Sequence, residues 1–214
     1  MNAQKRATDS RGGKATKLLA AADLLPSLNA LPAFETVATV SLQDDSLPLR
    51  CVNVPEQGQA CELPHHNSLP SNLKGMYSRA NIAGRGQHWG RPQLVEVVLN
   101  VAYNWWKNGN TTKCLIADLS AQRFRDSQGH ATHRAGEDAD FDLANTLPAD
   151  ENYNPTKQQR CAMFVAICLA AGASRVLFSD AAVVNGVNKW AKQQGIRGRA
   201  KRETRHNNHF HLDI

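Results

Sequence analysis

The chain has 214 residues, 42% of them hydrophobic and 21% charged, and its 25 basic against 19 acidic side chains give a formal net charge of +6. A chain of this length can bury a sizeable core without needing disulfides or metal, and the composition excludes disorder over most of it. No run of about 18 apolar residues exists, which excludes a membrane-spanning helix, and the positive balance suits an anionic partner (nucleic acid, cell-wall polymer or membrane surface) without choosing among them.

Near the start, Lys5, Arg6, Arg11, Lys14 and Lys17 precede the apolar stretch Leu18 to Ala22. Asp23 interrupts that stretch and Pro26 follows, which argues against a cleaved secretory signal. The chain is therefore expected to be made in the cytoplasm and to reach any other compartment by a separate route. Residues 1–70 are rich in Ala, Leu, Ser and Pro and hold one short amphipathic segment. They read as an N-terminal extension or linker, with a little local structure near Cys51 and Cys61.

Five cysteines leave at least one thiol free in a monomer. Cys51 and Cys61 flank a polar loop and can close a small disulfide if the protein meets an oxidising compartment. Cys114, Cys161 and Cys168 lie in apolar patterns and read as buried thiols. There is no CxxC, so a zinc ribbon or a thioredoxin-like site is excluded.

Residues 71–214 carry sharper signals. Pro92 stands at a first helical position, and Leu94, Val97, Val98, Val101 and Trp105 follow at helical spacing until Asn108-Gly109-Asn110 stops the helix. Cys114 to Leu119 reads as a buried strand. A second helix opens at Asn154-Pro155 and stops at Gly172, Arg175 to Phe178 reads as a strand, and Val187 to Gln194 as a short helix around Trp190. The chain closes on an alternating strand, His209 to Ile214. Helices and strands mix without a regular βαβ rhythm, so the class is α+β: a small antiparallel sheet with flanking helices.

The chemistry concentrates in two clusters, Gly129-His130-Ala131-Thr132-His133 running on to Asp138, Asp140 and Asp142, and His206-Asn207-Asn208-His209-Phe210-His211. Neutral imidazoles and carboxylates are the ligands a zinc ion takes. On a strand, His209 and His211 share one face while Phe210 turns the other way into a core. Asp138, Asp140 and Asp142 likewise share a face, with Ala139 and Phe141 inward, and a divalent cation would relieve their mutual repulsion. An HxH pair alone can be a solvated tail, and an acidic alternation is usually a solvated strand edge. The combination of His133, Asp140 and a later HxH is much harder to reach by accident.

These residues carry a resemblance. His-x6-Asp followed by His-x-His is similar to the pattern of the metallopeptidase group that contains lysostaphin, D-alanyl-D-alanine peptidases and hedgehog domains. Within it the chain resembles the penicillin-insensitive murein endopeptidases, through Trp89-Gly90-Arg91-Pro92, Ile116-Ala117-Asp118-Leu119-Ser120 and Gly129-His130-Ala131-Thr132-His133-Arg134-Ala135-Gly136. The resemblance covers roughly residues 71–214 and implies a zinc metallopeptidase domain there.

The resemblance further implies that His133, Asp140 and His211 hold a single Zn2+, and that His209 is a nearby imidazole acting as base or steadying the reacting carbonyl. His206 and His130 match further active-site histidines, and whether His206 or His209 moves the proton stays open. The implied reaction is hydrolysis of peptidoglycan peptide cross-links. The partners are then peptide stems of the wall, and nucleic acid is not expected. Without a clear leader, a phage enzyme released by a holin, a virion-borne hydrolase or a secreted effector would explain access to the wall.

The competing readings are a D-alanyl-D-alanine carboxypeptidase, a non-catalytic zinc-containing murein-binding domain, and a metal-dependent nuclease suggested by the basic charge. Glu137 departs from the family pattern and reads as surface charge, not a substitute ligand. Lys192, Arg197, Arg199, Lys201, Arg202 and Arg205 form a basic run that is either a solvated loop or a guide for anionic wall peptides.

Overall fold

The computed structural model describes residues 17–36, 49–80, 87–110, 113–122, 124, 133, 135–143 and 146–214. Among them lie four helices, α1 (Ala21–Asn29), α2 (Pro92–Lys107), α3 (Pro155–Ala170) and α4 (Ala181–Gln193). The strands are β1 (Cys51–Val54), β2 (Gly58–Glu62), β3 (Tyr77–Arg79), β4 (Trp89–Gly90), β5 (Cys114–Ile116), β6 (Asp138–Leu143), β7 (Arg175–Phe178), β8 (Arg199–Arg202) and β9 (Phe210–Asp213). No described helix is long and apolar enough to cross a membrane.

The α+β class holds, but the main sheet is mixed, not purely antiparallel. Its six strands run in the order β3-β5-β6-β9-β7-β8. The centre, β5-β6-β9-β7, is antiparallel. At the edges β3 is parallel to β5 and β8 is parallel to β7. The helices cause the difference: α2 lies between β3 and β5 in the chain, and α4 between β7 and β8. A helical crossover returns the chain to the end it left, so the strands it joins run parallel. A second, three-stranded sheet, β1-β2-β4, is antiparallel, and the Cys51–Cys61 disulfide joins register partners across its hairpin.

Local chemistry sets the helix bounds. Pro stands in the first turn of α2 and of α3, where a missing N–H costs nothing. Asn154 caps α3, its side chain accepting from Lys157 N at 3.1 Å. The last helix begins at Ala181, ahead of the Val187 start that its apolar pattern suggested. Asp180 accepts from the N–H groups of Ala182 and Val183, and that cap carries the helix back across Val183 and Val184. Arg199–Arg202, part of the basic run, is an edge strand.

One large cluster of buried residues joins one face of the main sheet to the helices. Phe210 is fully buried between Phe178, stacked at 4.5 Å, and Phe164 at 4.8 Å. Trp105 is buried while Trp106 remains 38% exposed. Cys114, Cys161 and Cys168 are buried free thiols.

Within the stretch before residue 71, α1 sets Leu24 and Leu28 into that same cluster, as β2 and the residue after it set Cys61 and Leu63. Backbone-like amide pairs fasten the N-terminal segment: Gln158 accepts from Leu19 N at 2.7 Å and donates to Leu19 O at 3.2 Å, and Asn104 does the same for Glu35 at 3.0 and 2.7 Å. Gly186 lets α1 approach α4, since a Cβ there would stand 2.9 Å from the Ala21 carbonyl.

Candidate metal centre

Strand register places the site. Asp140 in β6 is the direct partner of His211 in β9, which brings their Cβ atoms to about 5 Å. Asp140 is pinned from the other side as well: its N–H donates to Asp118 O at 2.8 Å, and its carbonyl accepts from Ala117 N at 2.9 Å. Phe210 anchors β9 in the core, and alternation turns His211 to the opposite face.

His133 arrives from the turn before β6, and the segment around Trp89-Gly90-Arg91-Pro92 holds that turn. Arg91 N–H donates to Gly136 O at 2.8 Å, its Nε donates to Ala135 O at 3.2 Å, and the same Nε pairs with Glu137 Oε1 at 2.8 Å. Glu137 is therefore engaged by Arg91 at the surface, which agrees with its reading as surface charge. Gly136 has φ +69°, and a Cβ there would lie 2.2 Å from a ring carbon of buried Phe124. Both conditions require glycine at the close of the motif.

The result is a buried cluster. Nε2 of His133 lies 3.2 Å from Asp140 Oδ2, and Nδ1 of His211 lies 2.8 Å from Asp140 Oδ1. His133, Asp140 and His211 are 1%, 4% and 4% exposed, and each offers a ligand atom within 4.8 Å of the other two. Burial opposes charge on every member, and hydrogen bonding overrides it: Asp140 sits well below the usual carboxylate range and His133 is raised through their contact, and His211 is raised to about 11 by Asp138, Asp140 and Asp213. Two imidazoles and one carboxylate are a donor set that could hold a metal ion, and zinc is among the ions that accept it.

The other predicted residues distribute as follows. His209 stands beside the cluster, its Nδ1 2.7 Å from Asn208 Oδ1 and its Nε2 3.8 Å from Asp140 Oδ1. The His206 ring lies 4.7 Å from that of His209 and 5.5 Å from that of His211. Burial, followed by the neighbouring His209 and His211, lowers its pKa to about 4, and its Nδ1 is buried without a hydrogen-bond partner. His130 lies outside the described residues.

Two carboxylates contact His211 from behind. Its Nε2 is 3.4 Å from Asp138 Oδ1 and 3.3 Å from Asp213 Oδ1. Asp138 belongs to the acidic alternation of β6. Asp213 was missed by sequence reasoning, although the period-2 pattern His209, His211, Asp213 extends to it. Asp138, His211 and Asp213 make a second set of close donors that shares His211 with the first.

A buried His/Asp/His set at the centre of a mixed sheet, with further imidazoles alongside, is a group that could hold a metal ion in an α+β fold. The sequence matches the family described as penicillin-insensitive murein endopeptidase over residues 66–181, just over half of the chain, and the protein belongs to that family. Its members are murein endopeptidases, hydrolases of peptidoglycan. The matched region contains His133 and Asp140 and ends before His206, His209 and His211. No curated protein matches the chain.

Proposed function

We propose that the protein is a zinc metallopeptidase that hydrolyses peptide cross-links of bacterial peptidoglycan, with His133, Asp140 and His211 as the three ligands. The observation that carries this reading is the convergence of two imidazole nitrogens and a carboxylate within 4.8 Å in a chain of the murein endopeptidase family. Zinc held there supplies Lewis acidity toward the scissile carbonyl and a source of hydroxide near neutral pH.

The chain's own residues do the rest. With Nδ1 protonated, His209 donates to Asn208 Oδ1, which turns its Nε2 toward the ligand cluster. From there it takes a proton from the attacking water and returns it to the leaving amine. His206 stands on the same side and steadies the carbonyl oxygen, a role that His130 shares through the family pattern. The bond cut lies between a D-alanine or diaminopimelate carbonyl and the side-chain amine of a neighbouring diaminopimelate.

The catalytic unit is residues 71–214, and the stretch before it serves as a brace. Lys192, Arg197, Arg199, Lys201, Arg202 and Arg205 lie at the end of α4, in the connection to β8, on β8 and in the loop leading to His206, where they draw in the carboxylates of anionic stems. The Cys51–Cys61 disulfide suits an oxidising compartment such as the wall space.

Purified cross-linked muropeptide dimers, incubated with the zinc-loaded protein and read by mass spectrometry, test the reading. Conversion of dimers to intact monomers is expected. Dimers shortened by one terminal residue would point to a carboxypeptidase instead, and no product with zinc bound would turn the reading toward a murein-binding domain.

A further inference from the structure

Two overlapping donor sets compete for His211, and an imidazole that carries one proton has only one lone pair to give. Geometry around Asp213 decides between them. Asp138, Asp213 and Arg175 form one row across β6, β9 and β7, since Asp213 pairs with Asp138 on one side and Arg175 on the other. The Arg175 guanidinium grips Asp213 in a fork, Nε to Oδ2 at 2.5 Å and Nη2 to Oδ1 at 3.0 Å. Both carboxylate oxygens of Asp213 are thereby engaged by a fixed cation, and a second divalent ion at this position would face that charge directly. Asp213 Oδ1 also lies 3.3 Å from His211 Nε2, on the side of the ring away from the Nδ1 that faces Asp140.

We propose that Asp213, locked by Arg175, is a positioning residue for the metal centre. It accepts the Nε2–H of His211, so the lone pair is kept on Nδ1 beside Asp140 and His133, and its ion pair with Arg175 keeps metal out of the second donor set. The inference rests on the assignment of His133, Asp140 and His211 as the ligands. Partners behind a ligating histidine fix its tautomer and ring orientation, and their loss costs about 10- to 100-fold in metal affinity.

Zinc affinity of the full chain by competition with a chromophoric chelator, together with 15N spectra of the zinc-loaded histidines, tests the proposal. The parent protein should bind one zinc per chain, with the proton of His211 on Nε2. Asp213→Asn should weaken binding about 10- to 100-fold and shift that resonance. Arg175→Gln should weaken it several-fold, and Arg175→Lys should recover part of the loss. Thermal unfolding of the zinc-free variants separates this from misfolding, because a merely structural role would lower stability without moving the His211 resonance.

If Asp213→Asn and Arg175→Gln bind zinc like the parent while His133→Ala does not, the positioning role is refuted and the metal centre stands. If His133→Ala also binds like the parent, the metal centre itself is wrong and the proposal falls with it.

Discussion

Gly136→Ala tests the link between the family motif and the ligand loop, because its cost separates into two parts. The first is backbone: at φ +69° an alanine is strained by about 1–2 kcal/mol. The second is steric, since the new Cβ would lie 2.2, 2.7 and 2.8 Å from three ring carbons of Phe124, which is 2% exposed and has little room to move. Overpacking of that kind costs about 1–3 kcal/mol, for a total of roughly 2–5 kcal/mol. Gly109→Ala is the control: its φ is +71°, but nothing lies within 4 Å of the added Cβ, so only the backbone part applies.

Urea unfolding of the zinc-free proteins should place Gly136→Ala below Gly109→Ala by about 1–3 kcal/mol, a further melting-temperature drop of roughly 2–12 °C for a chain of this size. Zinc affinity should fall in Gly136→Ala alone, because Gly136 O accepts from Arg91 N and belongs to the turn that presents His133. Equal stability losses in the two variants would refute the claim that Phe124 dictates glycine here.

Three further outcomes are expected. Phe210→Ala removes a fully buried ring stacked on Phe178 and should cost about 3–5 kcal/mol by urea unfolding; a loss under 1 kcal/mol would mean that β9 is not anchored as described. Reduction of Cys51–Cys61, at a sequence separation of 10, should cost roughly 2–3 kcal/mol through the freed unfolded chain, read as a lower melting temperature with a phosphine reductant; an unchanged melting temperature would contradict it. Burial would lower the His211 pKa, but hydrogen bonds to Asp138, Asp140 and Asp213 outweigh it and raise it to about 11, so zinc binding through His211 is expected to displace a proton. Affinity should therefore rise with pH between 7 and 9, and calorimetry in buffers of different ionisation enthalpy should record proton release on binding. A pH-independent affinity would show that the proton is not there.

Much of the site was legible because strand alternation is a strong local signal. His211 turned outward while Phe210 went into the core, and Asp140 stood between inward Ala139 and Phe141. Pro92 and Asn154-Pro155 marked helix starts for reasons confined to the first turn. What escaped needed partners distant in sequence. The parallel edges of the sheet follow from where two crossovers land. The tethers from Gln158 to Leu19 and from Asn104 to Glu35 join segments 139 and 69 residues apart, and no periodicity reports them. Arg175 behind Asp213 depends on the pairing of β7 with β9, which no motif encodes. The start of α4 differs from its pattern for a simpler reason: the apolar spacing centres on Trp190, whereas the Asp180 cap sets the helix start at Ala181.

The most direct test of the account is digestion of intact cross-linked peptidoglycan by the zinc-loaded protein, by the same protein after chelation, and by His211→Ala, with fragments read by mass spectrometry. Loss of cross-linked dimers with glycan strands intact, abolished both by chelation and by the substitution, is the predicted result. Undiminished cleavage by His211→Ala or by the chelated protein would contradict the assignment of this cluster as the catalytic centre.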